Sequence, residues 1–353
     1  MKFVNLLLIY FVFALSNFSA QILNKAKLDS FFIALDKKNM TMGSVAISKN
    51  GKLIYSKAFG SAVITKDKVI PNTVSTKFRV GSVTKMFTAV LIFQLIDENK
   101  ISLSTTLNNY FPELPNANKI TIAHLLNHSS GLHNYNDVPD YPKWAVLPKT
   151  QKDIFEIIIN HKFDFLPGER HEYSNSNYYI LSCIIEKITK KTYEENIKNR
   201  ITSKLKLNNT YVGSKIKPEK NECYSYIFDA VWMFEMEVDM SIPHGAGAIV
   251  STPADLTKFM EALFSNKLIS KNSLVLMTEI HDNFGVGIFQ MPWYNKKVFG
   301  HNGNIDNFYS AAVFFPDEKL SVALCINGTT IPFNDVMIGL LSIYFNLEYS
   351  VPK

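Results

Sequence analysis

The amino-acid sequence predicts an α+β protein in which one antiparallel sheet is built from both ends of the chain and is flanked by helices. Strand-like segments joined by a short polar turn lie near the start, and strand-like segments return near the end. Most of the chain between them has helical periodicity, which predicts a mainly helical subdomain inserted into the sheet subdomain.

The first predicted elements are a helix and a hairpin. Apolar periodicity predicts a helix near Leu23 to Asp36. Two segments rich in apolar and β-branched residues, 44–48 and 53–56, predict strands, and Lys49-Asn50-Gly51-Lys52 between them is typical of a hairpin turn.

The later elements complete the sheet. From about Thr84 to Met240 the patterns are mostly helical and are broken by loops. Strands are predicted after Asn283, around residues 298, 311–315 and 321–326, and a helix follows from about Phe333 to Phe345. We therefore expect a single domain, 21–353, with a sheet subdomain of about 21–80 and 283–353 and a mainly helical subdomain of about 81–282.

Residues 1–20 have the pattern of a signal peptide, with Met1-Lys2, an apolar run and then small polar residues up to Ala20. The apolar run is short for a spanning helix, although a retained membrane anchor is the alternative. We expect export to a periplasm or to the medium, without stable membrane insertion after cleavage. The cleavage site stays open because Phe18 stands where a small residue is preferred.

Charge and cysteine content narrow the class of protein. A net charge of +6 is modest for 353 residues and the lysines are dispersed, so no nucleic-acid partner is expected. Cys183, Cys223 and Cys325 cannot all pair within one chain, so a disulfide framework is not the basis of the fold. Whether any two pair is open, and apolar neighbours predict buried thiols at Cys183 and Cys325.

A serine nucleophile and its base are indicated by Ser82-Val83-Thr84-Lys85, which an apolar run follows. A lysine three residues after a serine lies one helical turn further along the same face, so its amine can meet the hydroxyl. A buried amine of lowered pKa can take the serine proton. The alternative is an N-cap serine with an exposed lysine. The same tetrad starts at Ser203, Ser214 and Ser350, where no long apolar helix follows.

Two further motifs place polar side chains where a cleft is expected. Tyr173-Ser174-Asn175 follows a turn-forming stretch and precedes a helical apolar pattern. His301-Asn302-Gly303 precedes a strand-like segment, which indicates the end of a strand lining a site.

In order and spacing, these motifs resemble S-x-x-K, Y-x-N and K-x-G or H-x-G of the serine β-lactamase and penicillin-binding-protein superfamily, in its class C and DD-peptidase-like branch. Residues 121–132 and 245–256 also resemble blocks of that branch. The resemblance implies the β-lactamase/transpeptidase-like fold and a catalytic domain over 21–353.

The resemblance also implies roles for individual residues. Ser82 would form an acyl-enzyme, while Lys85 and Tyr173 would form one coupled acid and base unit whose proton cannot be assigned from sequence. The remaining residues would contact the substrate. The side-chain amide of Asn175 would bind it, and the backbone N–H groups of Ser82 and Asn304 would stabilise the oxyanion. His301 and Gly303 would form part of the wall of the site.

His301 departs from the lysine that many β-lactamases and DD-peptidases carry at this position. Because histidine is mostly uncharged near neutrality, the departure favours a broader acyl-hydrolase over a dedicated β-lactamase. We predict an exported serine acyl-hydrolase acting on D-Ala-type peptide amides or small esters. Hydrolysis of β-lactams is the alternative, and a non-catalytic penicillin-binding sensor is the alternative of another class.

Other interpretations are weaker. His124 and His128 could hold a metal from one helical face, but no acidic residue follows the first, and packing with loop anchoring is favoured. The expected partner is a small molecule or peptide with an acyl centre, and no metal or organic cofactor is predicted. The loops 134–144 and 224–240 could line a pocket or pack a lid. The sequence leaves the oligomeric state open.

Overall fold

The computed structural model describes residues 23–282 and 284–350, so the predicted signal peptide at 1–20 lies outside the described residues. The strands are β1 Thr41–Lys49, β2 Lys52–Phe59, β3 Ser61–Ile64, β4 Val69–Pro71, β5 Phe78–Arg79, β6 Tyr211–Val212, β7 Tyr226–Asp229, β8 Val231–Phe234, β9 Ile249–Ser251, β10 Phe289–Gln290, β11 Phe299–Ile305, β12 Phe308–Phe315 and β13 Leu320–Thr329. The helices are α1 Lys25–Lys37, α2 Thr84–Asp97, α3 Ile122–Leu126, α4 Tyr141–Trp144, α5 Gln151–Asn160, α6 Asn175–Thr189, α7 Tyr193–Ile197, α8 Ser203–Leu205, α9 His244–Gly247, α10 Pro253–Phe264, α11 Lys271–Met277 and α12 Phe333–Tyr344.

The main sheet joins the two ends of the chain. Its strand order is β10-β11-β12-β13-β1-β2, and every neighbouring pair is antiparallel. Asn50 and Gly51 turn the β1–β2 hairpin with positive φ angles of 50° and 77°, which suits a tight hairpin turn. The predicted α+β fold is confirmed.

Helices cover both faces of this sheet. Along β12, Val313 faces an apolar cluster with Leu28 of α1 and Leu340 of α12. The neighbouring residue in the strand, Ala312, belongs to a second apolar cluster that includes Phe259 of α10. Because successive side chains of a strand point to opposite faces, this alternation buries the sheet on both sides.

The helical part of the molecule is organised around α2. Residues 84–95 of this helix are all buried, as expected of a helix that is apolar on all sides. The Phe87 ring of α2 stacks on Phe259 of α10 with ring centroids 3.8 Å apart, which ties α2 to the sheet side. The start of α2 is therefore packed on all sides.

The prediction of a mostly helical segment up to Met240 is wrong for residues 226–234, which form the antiparallel hairpin β7–β8. This stretch is apolar on both faces, so neither a period of two nor one of 3.6 stands out. The division of 21–353 into two subdomains stays a prediction.

Two smaller expectations can be compared with the described residues. All three cysteines are unpaired and buried, which confirms the buried thiols at Cys183 and Cys325. Among residues 23–282 and 284–350, no helix combines the length and the apolar character that crossing a membrane requires.

Candidate active site

Ser82 lies in the turn that connects β5 to α2. Residues Gly81–Val83 form a single 3₁₀ turn, and α2 begins at Thr84. The N-cap interpretation of Ser82 is wrong, because Val83 occupies the N-cap position of α2. The Ser82 hydroxyl instead faces Lys85 and Tyr173.

Lys85 is a fully buried amine at hydrogen-bond distance from Ser82. Its Nζ lies 3.0 Å from Ser82 Oγ, 2.7 Å from Asn175 Oδ1 and 2.8 Å from the Ala246 carbonyl oxygen. Burial holds the pKa of Lys85 well below its usual range. An amine that gives up its charge this readily can accept a proton from the hydroxyl beside it.

Tyr173 approaches the same hydroxyl from the start of α6. Its O–H donates to Ser82 Oγ at 2.6 Å, and the Lys85 amine lies 4.7 Å from its ring centroid. Burial raises the pKa of Tyr173, although its hydrogen bond with Ser82 acts in the opposite direction. Both pKa shifts favour the uncharged form of the group concerned, so they favour a proton on Tyr173 and an uncharged amine on Lys85.

Asn175 is the first residue of α6 and is held by two other asparagines. Its backbone N–H donates to Asn134 Oδ1 and its Nδ2 donates to Asn136 Oδ1, both at 2.9 Å. These contacts fix the amide so that Oδ1 faces Lys85. The sequence placed Asn134 and Asn136 in a loop expected to line a pocket or pack a lid, and no local pattern indicated that they orient Asn175.

The backbone of β11 runs close to the Ser82 turn. A Cβ on Gly303 would lie 2.9 Å from the Ser82 nitrogen, and a Cβ on Gly81 would lie 2.9 Å from the Asn304 nitrogen. Only glycine permits such an approach, and Gly81 also has a positive φ of 49°. The backbone segments that contain the Ser82 and Asn304 nitrogens therefore pack against each other without room for a side chain at Gly81 or Gly303.

His301 lies inside β11, whose pairing with β12 runs on to Ile305, so the prediction that it ends a strand is wrong. The ring is 2% exposed, and its Nδ1–H donates to the Asn302 carbonyl oxygen. Burial, with a smaller contribution from Lys85, lowers the pKa of His301 to about 3. His301 is therefore uncharged at neutral pH.

A cavity of about 550 Å³ opens over Ser82, and every described side chain that lines it is uncharged. Tyr173, Asn175 and residues 301–304 line it, as the sequence predicts. The other lining residues were not predicted, because no sequence motif marks them. They are Phe289, Tyr309, Pro332, Phe333 and Asn334.

The two histidines considered as metal ligands have structural contacts. His124 completes a capping box with Thr121 at the start of α3. The His128 ring lies 4.6 Å from the Tyr173 ring, and its Nδ1 accepts the Ser174 N–H at 3.2 Å. Packing and anchoring, the favoured interpretation, describes these contacts.

A buried ion-pair network lies directly behind the site. Arg79, three residues before Ser82, pairs with Asp306, two residues after Asn304, and with Glu237 at 2.9 Å. The Arg79 and Asp306 side chains are 2% and 1% exposed. The Arg79–Asp306 pair therefore connects the segment before Ser82 with the end of β11, a contact that the sequence analysis did not predict.

We expect Arg79→Met to lower the free energy of unfolding by about 3 to 5 kcal/mol, because it leaves a buried carboxylate without its partner. Urea denaturation measures this effect. Arg200→Met is the matched control: Arg200 pairs with the partly exposed Glu98, and its loss should cost about 1 kcal/mol or less. Equal losses in the two variants would contradict the structural role given to Arg79.

Comparison with known proteins decides the family. The Beta-lactamase family profile matches residues 28–340. The chain belongs to the Beta-lactamase family. It is a serine hydrolase of this family, as the names of its relatives indicate.

One curated relative and two solved structures match most of the chain. The teichoic acid D-alanine hydrolase of Staphylococcus aureus (strain MRSA252) is 30% identical over 293 residues, 81% of this chain and 70% of that protein. The D-stereospecific amidohydrolase of a Streptomyces species superposes with a TM-score of 0.77 at 26% identity, covering 91% of this chain and 99% of that one. FmtA of Staphylococcus aureus superposes with a TM-score of 0.73 at 27% identity, covering 92% and 88% of the two chains.

Proposed function

We propose that this family member removes a small D-amino acid of the D-alanine type from ester or amide bonds, through an acyl-enzyme on Ser82. The relatives named for D-alanine hydrolysis and for D-stereospecific amide hydrolysis support the substrate class. The contacts of Ser82 with Lys85 and Tyr173 support the nucleophile.

The choice of substrate rests on the absence of charged side chains among the described residues that line the cavity. A substrate carboxylate entering it would meet no cation among the described lining residues. His301 stands where a lysine would supply one, and its pKa of about 3 keeps it uncharged. Burying an unpaired carboxylate is unfavourable, and the ester or amide carbonyl of a D-aminoacyl substrate brings no carboxylate into the cavity. The cavity therefore favours D-aminoacyl esters and amides over carboxylate-bearing β-lactams and peptides ending in D-alanine.

Acylation begins with the uncharged amine of Lys85. Its two N–H groups match the oxygens of Asn175 and Ala246, and its lone pair receives the Ser82 proton as Oγ bonds to the substrate carbonyl carbon. The negative charge that develops on the carbonyl oxygen is stabilised by the Ser82 and Asn304 N–H groups, and one such donor is worth about 10²- to 10³-fold in rate.

The leaving group departs with a proton from Tyr173. The C–O or C–N bond breaks, the departing atom takes the Tyr173 proton, and the Lys85 ammonium restores it. One proton has then moved from Ser82 to the alcohol or amine.

In deacylation, water attacks the ester of Ser82, Lys85 accepts a water proton, and that proton returns to Ser82 Oγ as the acid is released.

We also propose export, which the leader-like pattern of residues 1–20 supports. Hydrolysis of β-lactams is disfavoured by the missing cation in the described cavity wall. A non-catalytic sensor is disfavoured because Ser82, Lys85 and Tyr173 are all present and in contact.

We expect His301→Lys to shift the preference toward carboxylate-bearing acyl donors. A cation in the wall forms a charge-assisted hydrogen bond with a carboxylate, so acylation by benzylpenicillin should rise about tenfold or more. Turnover of a D-alanyl methyl ester should not rise. Stopped-flow acylation rates and ester hydrolysis measure the two effects.

His281→Lys is the matched control, since the His281 side chain is 62% exposed and lies outside the cavity wall. It should leave both rates unchanged. If the unmodified enzyme already hydrolyses penicillin faster than every D-alanyl ester or amide, the proposed substrate class is wrong.

A further inference from the structure

An apolar groove of about 900 Å³ continues from the catalytic cavity along the outer side of β11. It runs between the segment 289–298 and helix α12. The groove and the cavity share four lining residues, so a molecule bound at Ser82 can extend directly into the groove: Phe289, Asn302, Phe333 and Asn334.

Most of the described side chains that line the groove are apolar, although three are uncharged amides. Val298 and Val313 at its floor are each 2% exposed, while Ile338 on α12 and Tyr294 at the rim are 50% and 76% exposed. Lys296, the charged residue among the described lining, is already paired with Glu318. A contiguous apolar surface of this kind, open to solvent beside an active site, marks a place where an apolar group binds.

We propose that this groove binds an alkyl chain on the leaving-group side of the substrate, so that the enzyme prefers D-aminoacyl esters of amphiphilic alcohols. This inference rests on the proposed function. A D-alanyl acyl group ends in a methyl side chain and cannot reach along the groove. The apolar length must therefore belong to the alcohol that departs from Ser82.

The test is the hydrolysis of D-alanyl methyl, butyl and octyl esters, kept below the concentrations at which they form micelles. Butyl and octyl alcohols have the same intrinsic leaving-group reactivity, so a difference in kcat/KM reports binding. A fully buried methylene contributes about fourfold and one that stays open to solvent on one side about twofold, so the octyl ester should exceed the butyl ester roughly 16-fold.

Ile338→Glu places a carboxylate at the rim and should reduce the octyl advantage to about threefold or less, with hydrolysis of the methyl ester unchanged. Val275→Glu is the matched control, since Val275 is an exposed helical residue, 59% accessible, outside the groove. It should retain the full advantage.

Equal kcat/KM for the butyl and octyl esters, with turnover still dependent on Ser82, would overturn the groove assignment and leave the proposed function standing. A rise in kcat/KM along a series of longer acyl groups, with none along the alcohol series, would overturn it as well.

If no D-alanyl ester is hydrolysed, the proposed function fails and 1-octanol binding tests the groove separately. Trp293 lines the groove, so octanol should change the tryptophan fluorescence of the unmodified protein and of Val275→Glu. The change should be lost in Trp293→Phe and in Ile338→Glu. Absence of any octanol-dependent change in the unmodified protein would overturn the groove assignment.

Discussion

Ser82→Ala is expected to reduce kcat for D-alanyl esters by about 10⁴- to 10⁶-fold, since it removes the atom to which the acyl group is transferred. The Ser82 hydroxyl contacts both Lys85 Nζ and Tyr173 O–H, the two groups proposed to move its proton. Steady-state hydrolysis and labelling with a fluorophosphonate measure the loss.

The chain offers its own control for this variant. Ser203 begins another serine-x-x-lysine tetrad but lies exposed at the start of α8. Ser203→Ala should keep full activity and full fluorophosphonate labelling. Activity of Ser82→Ala within tenfold of the unmodified enzyme would show that the acyl-enzyme forms elsewhere.

Lys85→Met is expected to lower the acylation rate about 10²- to 10⁴-fold, because the general base is lost while a side chain of similar length still fills the space. In the unmodified enzyme, kcat/KM should fall as the pH decreases through the lowered pKa of Lys85, since only the uncharged amine accepts the Ser82 proton. Stopped-flow acylation across the pH range measures both effects. Lys204→Met, an exposed substitution in α8, should change neither.

The same substitution has a stability signature with a defined sign. Below a pH of about 10.4 the unfolded chain protonates Lys85, whereas the folded protein keeps it uncharged down to its lowered pKa. This difference destabilises the unmodified fold progressively as the pH falls. Lys85→Met removes it, so the variant should gain stability relative to the unmodified protein as the pH falls from about 10 toward the lowered pKa of Lys85. A stability difference independent of pH would contradict an uncharged buried amine.

Much of the site was predictable because its signals are local. Ser82 and Lys85 lie one helical turn apart, so their spacing predicted the contact between them. The contacts of Tyr173 with Ser82 and of Asn175 with Lys85 join distant segments and were implied by the resemblance of the motifs. The apolar run after Ser82 predicted that α2 would be buried, and that burial is the cause of the lowered pKa of Lys85.

The unpredicted features depend on contacts between distant parts of the chain. Arg79 and Asp306 are 227 residues apart in sequence, and no local pattern marks them as a pair. Phe289 and Phe333 reach the cavity wall because β10 pairs with β11 and the Phe333 ring stacks on Tyr309 of β12. The protonation of Tyr173 likewise follows from burial, which is a tertiary property. The β7–β8 hairpin was missed because its residues are apolar on both faces.

Rapid-quench mass spectrometry of the enzyme mixed with a D-alanyl ester tests the central claim most directly. We expect a transient mass increase equal to one alanyl group, mapped to the peptide that contains Ser82, forming faster from the D ester than from the L ester. Hydrolysis of the D ester without any adduct at Ser82, or with the adduct on another residue, would contradict the account.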